Sequence, residues 1–328
     1  MRYRKLVSLI GIGILIALLY GCSASTSPPE NDSGLSPTEH SPSAKVVVVG
    51  NFGKKIFVDE TVSIGENTTA LDALQQVAEV KTKYGGGFVS AINGISSEYE
   101  GVKSKKKDWF FYINGMSANT GAGEYILQDG DIEYWDLRDW SFRQFVPAII
   151  GDFPEPFLHG YKGVPYPTVI AYQDGWKEEA SKIGEALSQL GIDSVSTRNA
   201  DELLATEKET SNLILLGTSD FNLIEEINRP WNRLGFYCHF EESSLKVFDP
   251  GGELAAEHGA GTGVGVIQAT QSIWNPKGVG ACENVVWMVS GADEAGVKNA
   301  VDTLVNHYKD FKYALAAVVA DGEVIKVP

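Results

Sequence analysis

Cysteine and histidine are scarce in this 328-residue chain, with three Cys and five His and no spacing among them that suits a metal. There is no Cys-x-x-Cys pair, so a structural zinc site is not expected. Cys238 and Cys282 can pair in an oxidising compartment, but whether their α-carbons come close enough is a tertiary matter. Catalytic signatures are missing too. Without a Gly-x-Ser-x-Gly elbow, a His-Glu-x-x-His or a cysteine in a local catalytic context, the chain reads as a protein that is not an enzyme. Adjacent acids such as Glu225-Glu226 and Glu241-Glu242 point apart on a strand, so facing carboxylates would have to come from tertiary pairing. Positive charge is short as well. A formal charge of −16, with no basic stripe beyond the lysines within 103–107, argues against nucleic acid as a partner. The glycine-rich stretch 259–265 leads into apolar residues of strand character and not into a helix, so it does not read as a nucleotide site.

What is present is the composition of a globular protein, 43% hydrophobic with 35 Gly, and enough length for two domains. The chain is organised around residues 109–135, WFFYINGMSANTGAGEYILQDGDIEYW. Two aromatic runs bracket a segment with Asn114-Gly115 at one end and Asp129-Gly130 at the other, which predicts two strands joined by a shaped loop. The loop is built of small residues, and these would let a bulky ligand approach the backbone. Asn119, Thr120, Gly121, Gly123 and Tyr125 on the loop, with Trp135 and Trp140 beside it, are the expected ligand-binding residues.

Upstream, β-branched residues 46–49 and 56–64 around Gly50-Asn51-Phe52-Gly53 predict a hairpin. Thr68 or Thr69 can cap a helix carrying Leu71, Leu74 and Ala78, and Phe88 to Ile92 reads as a strand. Two strands, a helix and further strands are the order of a β-grasp sheet. Residues 140–167 form a connector whose five prolines forbid a regular helix but whose aromatic rings imply packing along a seam or, in a functional reading, lining of a ligand cleft. From Thr168 the period changes. Strands at 168–172, 194–197, 212–217 and 285–290 alternate with helices at 176–190 and 294–308, the latter capped by Asp293, and predict a mainly parallel sheet. Residues 236–240 and 245–249 add an antiparallel pair. Thr218-Ser219-Asp220, at the end of a strand, should cap the helix from Phe221 or hold an anion or sugar hydroxyls. The expected fold is thus α+β, a β-grasp-like domain followed by an α/β layered domain.

Three resemblances add to this reading. Arg2, Arg4 and Lys5, the apolar run 6–19 and Cys22 resemble a bacterial lipoprotein signal. This implies lipidation of Cys22 and a place on the extracytoplasmic face of the membrane, and an uncleaved anchor would put the chain there as well. Residues 23–44 would be a flexible tether. The blocks TALDALQQV (69–77), GFVSAINGI (87–95), WFFYING (109–115), GAGEY (121–125) and DGDIEYW (129–135) resemble a bacterial domain family of unknown function. That family is related to the carboxy-terminal domain of the vitamin B12 carriers transcobalamin and intrinsic factor. The resemblance spans 45–139 and implies a small-molecule ligand, cobalamin or another corrinoid. Residues 212–222 and 285–304, within the second domain at 168–328, loosely resemble domains of archaeal surface-layer proteins. They imply the alternative of a structural or adhesive protein that binds cell-wall polymer or surface-layer components.

Overall fold

The computed structural model describes residues 41–84, 87–99 and 105–328. The lipoprotein signal, Cys22 and the tether up to residue 40 lie outside the described residues. Order begins two residues earlier than Lys45, because Ser43 and Ala44 already pair in the first strand. That strand, β1 (Ser43–Gly50), turns through Asn51, Phe52 and Gly53, all at positive φ, into β2 (Lys55–Ser63). Helix α1 (Ala70–Val77) follows, capped by Thr69 and Asp72 in a reciprocal capping box. β3 (Val80–Lys83), β4 (Phe88–Ile92) and β5 (Ile95–Ser96) make a small antiparallel sheet. β6 (Lys107–Ile113), β7 (Met116–Ser117) and β8 (Ile132–Asp139) complete a five-stranded sheet in the order β2-β1-β8-β6-β7, with β1 parallel to β8 and the other pairs antiparallel.

The four valines of β1 are explained by this placement. Val46 and Val48 face α1, whereas Val47 and Val49 pack on a second cluster with Tyr134, Tyr237 and Leu315. A strand covered on both faces reads as a continuous apolar run and loses its alternation.

The second half contains β9 (Thr168–Tyr172), α2 (Lys177–Gln189), β10 (Val195–Asn199), α3 (Ala205–Thr210), β11 (Asn212–Thr218) and α4 (Asn222–Asn228). A meander of β12 (Cys238–Glu241), β13 (Ser244–Phe248) and β14 (Leu254–His258) follows. The chain then forms β15 (Gly265–Gln271), β16 (Val285–Gly291), α5 (Glu294–Asn306), β17 (Ala316–Ala320) and β18 (Glu323–Val327). The large sheet runs β10-β9-β11-β16-β15-β17-β18. It is mixed and not mainly parallel. β10, β9, β11 and β16 pair in parallel, but β15, β17 and β18 add antiparallel pairings. The fold is therefore mixed α+β, rich in strands, with several sheets and few helices.

The glycine-rich stretch has a structural role. Gly261 and Gly263 donate their amides to the Asp293 carboxylate at 2.6 and 3.0 Å, and Gly296 donates to it at 2.8 Å. The nest that an outside anion would need is filled by the chain's own acid. At Gly265 and Gly296 the backbones cross so closely that a Cβ would lie 2.3 Å from Gly296 O and 2.2 Å from Val264 O, respectively.

Cys238 and Cys282 are both free and buried, in different parts of the core. Thr218 does not cap α4. Its hydroxyl turns to Gln173 Oε1 at 2.9 Å, and the N-cap position falls to Phe221, which has no side-chain acceptor. Residues 41–328 make one compact unit. The connector contains no helix and packs inside this unit, with Phe157 and Tyr161 buried.

Candidate ligand groove

The loop singled out in the sequence is fixed at both ends. At its start Asn114 and Gly115 take φ of 49° and 73°, the signs needed for a tight hairpin turn. The buried Asn114 amide donates to Asp131 Oδ1 at 2.7 Å and accepts from the Ile132 amide at 2.8 Å. Asp131 also accepts from the Gln128 amide at 2.9 Å and the Tyr125 hydroxyl at 3.2 Å, and burial pushes its carboxyl up to about 6. On the other side, the Ala70 and Leu71 amides of α1 donate to Tyr125 O and Ala122 O at 2.9 and 3.0 Å. Helix and loop thus satisfy each other's backbone groups.

A groove of about 240 Å³ runs along this loop between Phe88 and Val89 of β4 and Trp109, Phe110 and Phe111 of β6. Thr120, Gly121 and Trp135 line it together, so the structure brings three of the seven expected ligand residues to one place. Gly121 faces Gly87 across the rim, where a Cβ would lie 3.8 Å from Gly87 O, an ordinary contact. Trp135 forms part of the lining but offers it little surface. It is 4% exposed, stacks on Phe111 with centroids 4.7 Å apart, and donates its indole N–H to Glu133 at 2.6 Å. Glu133 is fully buried, and desolvation holds its carboxyl well above the usual range.

The other four expected residues are not in this groove. Tyr125 is 0% exposed, its hydroxyl closed between Asp131 and the Lys162 amide, so it shapes the loop from inside and does not meet a ligand. Asn119 is exposed but committed, donating to Ala281 O at 3.2 Å and accepting from the Tyr161 hydroxyl at 3.1 Å. Gly123 is exposed on the outer turn. Trp140 stacks edge-on with Tyr99 and donates to Asp108 at 3.0 Å, away from the groove. The residues missed from the sequence are Phe88, Phe110 and Phe111, whose strands were legible but whose convergence on the loop was not. The glycines preceding Phe88 were the one available signal.

At the carboxy ends of β9, β10 and β11, a shallower depression of about 260 Å³ is lined by Gln173, Asn199, Asp220 and their neighbours. Among the described residues, no three His, Cys, Asp or Glu side chains gather as a metal site, and no helix is long and apolar enough to cross a membrane.

A family model described as a domain of unknown function (DUF4430) matches residues 67–138, from two residues before the Thr69 cap of α1 to one residue short of the end of β8. Among solved structures, the chain is similar to a candidate metal-binding protein from Ruminococcus gnavus. The identity is 17% and the TM-score 0.24, over 30% of this chain and 97% of that one. It is also similar to haptocorrin, crystallised in complex with Cbi, at 15% identity and a TM-score of 0.24. That match covers 30% of this chain and 26% of haptocorrin, so this chain spans about a quarter of the length of the haptocorrin chain. No curated protein matches.

Proposed function

We propose that this protein binds a flat, partly apolar small molecule in the groove beside residues 117–122, without chemistry, and that the ligand is a corrinoid. In this reading residues 45–139 are a β-grasp domain held outside the cytoplasm through lipid at Cys22, and 168–328 are an α/β domain that braces it. The observation that carries the reading is the groove itself, in which aromatic rings from β4, β6 and β8 meet a glycine-bearing rim. Rigid rings give contact area at little entropic loss. At about 240 Å³ the groove takes the edge of a large macrocycle, with the remainder lying outside it.

The docking of Asn119 on Ala281 supports a second reading, an adhesive scaffold that binds wall or surface-layer polymer, because it ties up one side of the loop. Equilibrium dialysis of the full chain in mild detergent against cobalamin and cobinamide separates the two. Retention of corrinoid is expected, and it should be lost in Gly121→Leu but kept in Gly121→Ala, whose methyl has room. Unchanged free corrinoid at tens of micromolar protein refutes the proposal, and sedimentation with purified cell wall would then favour the scaffold.

A further inference from the structure

A second cavity lies on the opposite side of the five-stranded sheet. With a volume of about 340 Å³, it opens between β1 and β8 on one side and the 308–313 turn after α5 on the other. Its size is that of a small-molecule site. The body is apolar, formed by Val47, Ile132, Phe153 and the ring of Tyr308. Lys45, Lys309 and Lys312 also line it. That grouping runs against a chain with 27 basic and 43 acidic residues.

The charges are partly arranged already. Asp59 receives Lys45 and Lys312, each at 2.7 Å, and the Tyr313 hydroxyl closes on the same carboxylate. One acid thus holds two lysines at the mouth. Lys309 is exposed and has no carboxylate within 4.0 Å among the described residues. The acid within the cavity, Asp152, is 3% exposed and accepts from the Gly115 amide at 3.0 Å.

The backbone at this place is strained. Tyr313 sits at φ 69°, a region that bulky residues avoid. It is held there by close neighbours, since a Cβ on Gly53 would lie 1.9 Å from Tyr313 O and one on Gly151 2.6 Å from the Tyr313 carbonyl carbon. The Tyr134 hydroxyl donates to Tyr313 O at 2.9 Å. Two glycines and a buried phenol therefore fix a residue that lines the cavity.

We propose that this cleft is a binding site for a small amphipathic organic anion, with the apolar body between Phe153, Val47 and Ile132 and the anionic head at Lys309 and Lys312. It is separate from the aromatic groove and does not depend on it. An inorganic anion would leave the apolar wall unused, and an uncharged ligand would leave Lys309, which lies over the Tyr308 ring, without a counter-ion.

The probe is 1-anilinonaphthalene-8-sulfonate, with uncharged N-phenyl-1-naphthylamine as the comparison, on the full chain in detergent below its micelle concentration. The expected result is saturable one-to-one fluorescence enhancement by the sulfonate, displaced by octanoate but not by acetate, with the uncharged analogue at least severalfold weaker. Lys309→Glu, at an exposed position, should weaken the sulfonate about tenfold while leaving the analogue unchanged. Gly121→Leu in the other groove should leave both probes unchanged. The proposal is overturned if the sulfonate gives no enhancement, if both probes bind equally, or if Lys309→Glu changes nothing. A corrinoid result in either direction does not bear on it.

Discussion

Asp152 illustrates what one carboxyl does when its surroundings withhold water. Burial raises its pKa to about 7, with Glu155 adding to the rise and the Gly115 amide, Lys45 and Lys312 opposing it. The sign of the consequence follows from linkage. A group whose folded pKa lies above its unfolded value binds more protons when folded, so stability falls as pH climbs from about 4 to about 7. Asp131, raised to about 6, acts in the same direction. Asp59 acts in the opposite sense. Burial would raise its pKa, but hydrogen bonds from Lys312, Lys45 and Tyr313 outweigh that and hold it well below the carboxylate range, so its contribution is full at neutral pH and is lost progressively as pH falls below about 4. Asp152→Asn removes one raised group. Unfolding free energies from urea titrations at pH 5 and pH 7 should therefore differ less in the variant than in the parent, by on the order of 1–3 kcal/mol. An unchanged difference would mean that Asp152 is ionised in the folded protein at pH 5.

At the scale of elements, caps and close crossings decide where the helices sit. Asp293 satisfies the first turn of α5 and two amides of the preceding glycine loop with one side chain. Asp293→Ala should therefore destabilise more than loss of an ordinary cap, by about 2 kcal/mol, whereas Thr69→Ala at α1 should fall near 1 kcal/mol. Thermal melts of the two variants check the order, and equal losses would show that the loop contacts contribute nothing.

The same elements show how much the chain disclosed before its structure was known. Signals that act over a few residues were readable. The Asp293 cap, the Asn114-Gly115 turn, the strand 168–172 and the hairpin at 51–53 stand where their residue types put them. Long-range matters were not readable. Nothing in Asn119 announces an acceptor 162 positions away on Ala281, and the inward course of Tyr125 depends on Asp131 and Lys162 being brought to it. Trp135 could have been placed better. Glu133, Trp135 and Leu137 share one face of β8 by the two-residue period, and that face looks toward α1.

Taken whole, the molecule does not divide cleanly at the connector. Phe52 packs edge-on against Tyr237 at 5.5 Å, and Tyr134 donates to Tyr313 O at 2.9 Å. One buried cluster draws Val47, Val49 and Tyr112 from the first half and Leu315 from the second. A core shared in this way should melt as a unit. Calorimetry of the chain is expected to give one transition with matching calorimetric and van't Hoff enthalpies, and two resolved peaks would show that the halves hold themselves up.

The tie between Asp59 and Lys312, 253 positions apart, also sets an order of events during synthesis. The amino-terminal hairpin leaves the ribosome long before the segment that covers Val47 and Val49 exists. Until translation reaches Tyr313 and Leu315, the cover over those valines is incomplete, supplied only by earlier members of the cluster such as Phe52, Tyr112, Tyr134 and Tyr237. A product cut short by stalling or proteolysis would keep that sticky stripe partly bare, and such fragments should be recovered in inclusion bodies and not in the soluble fraction.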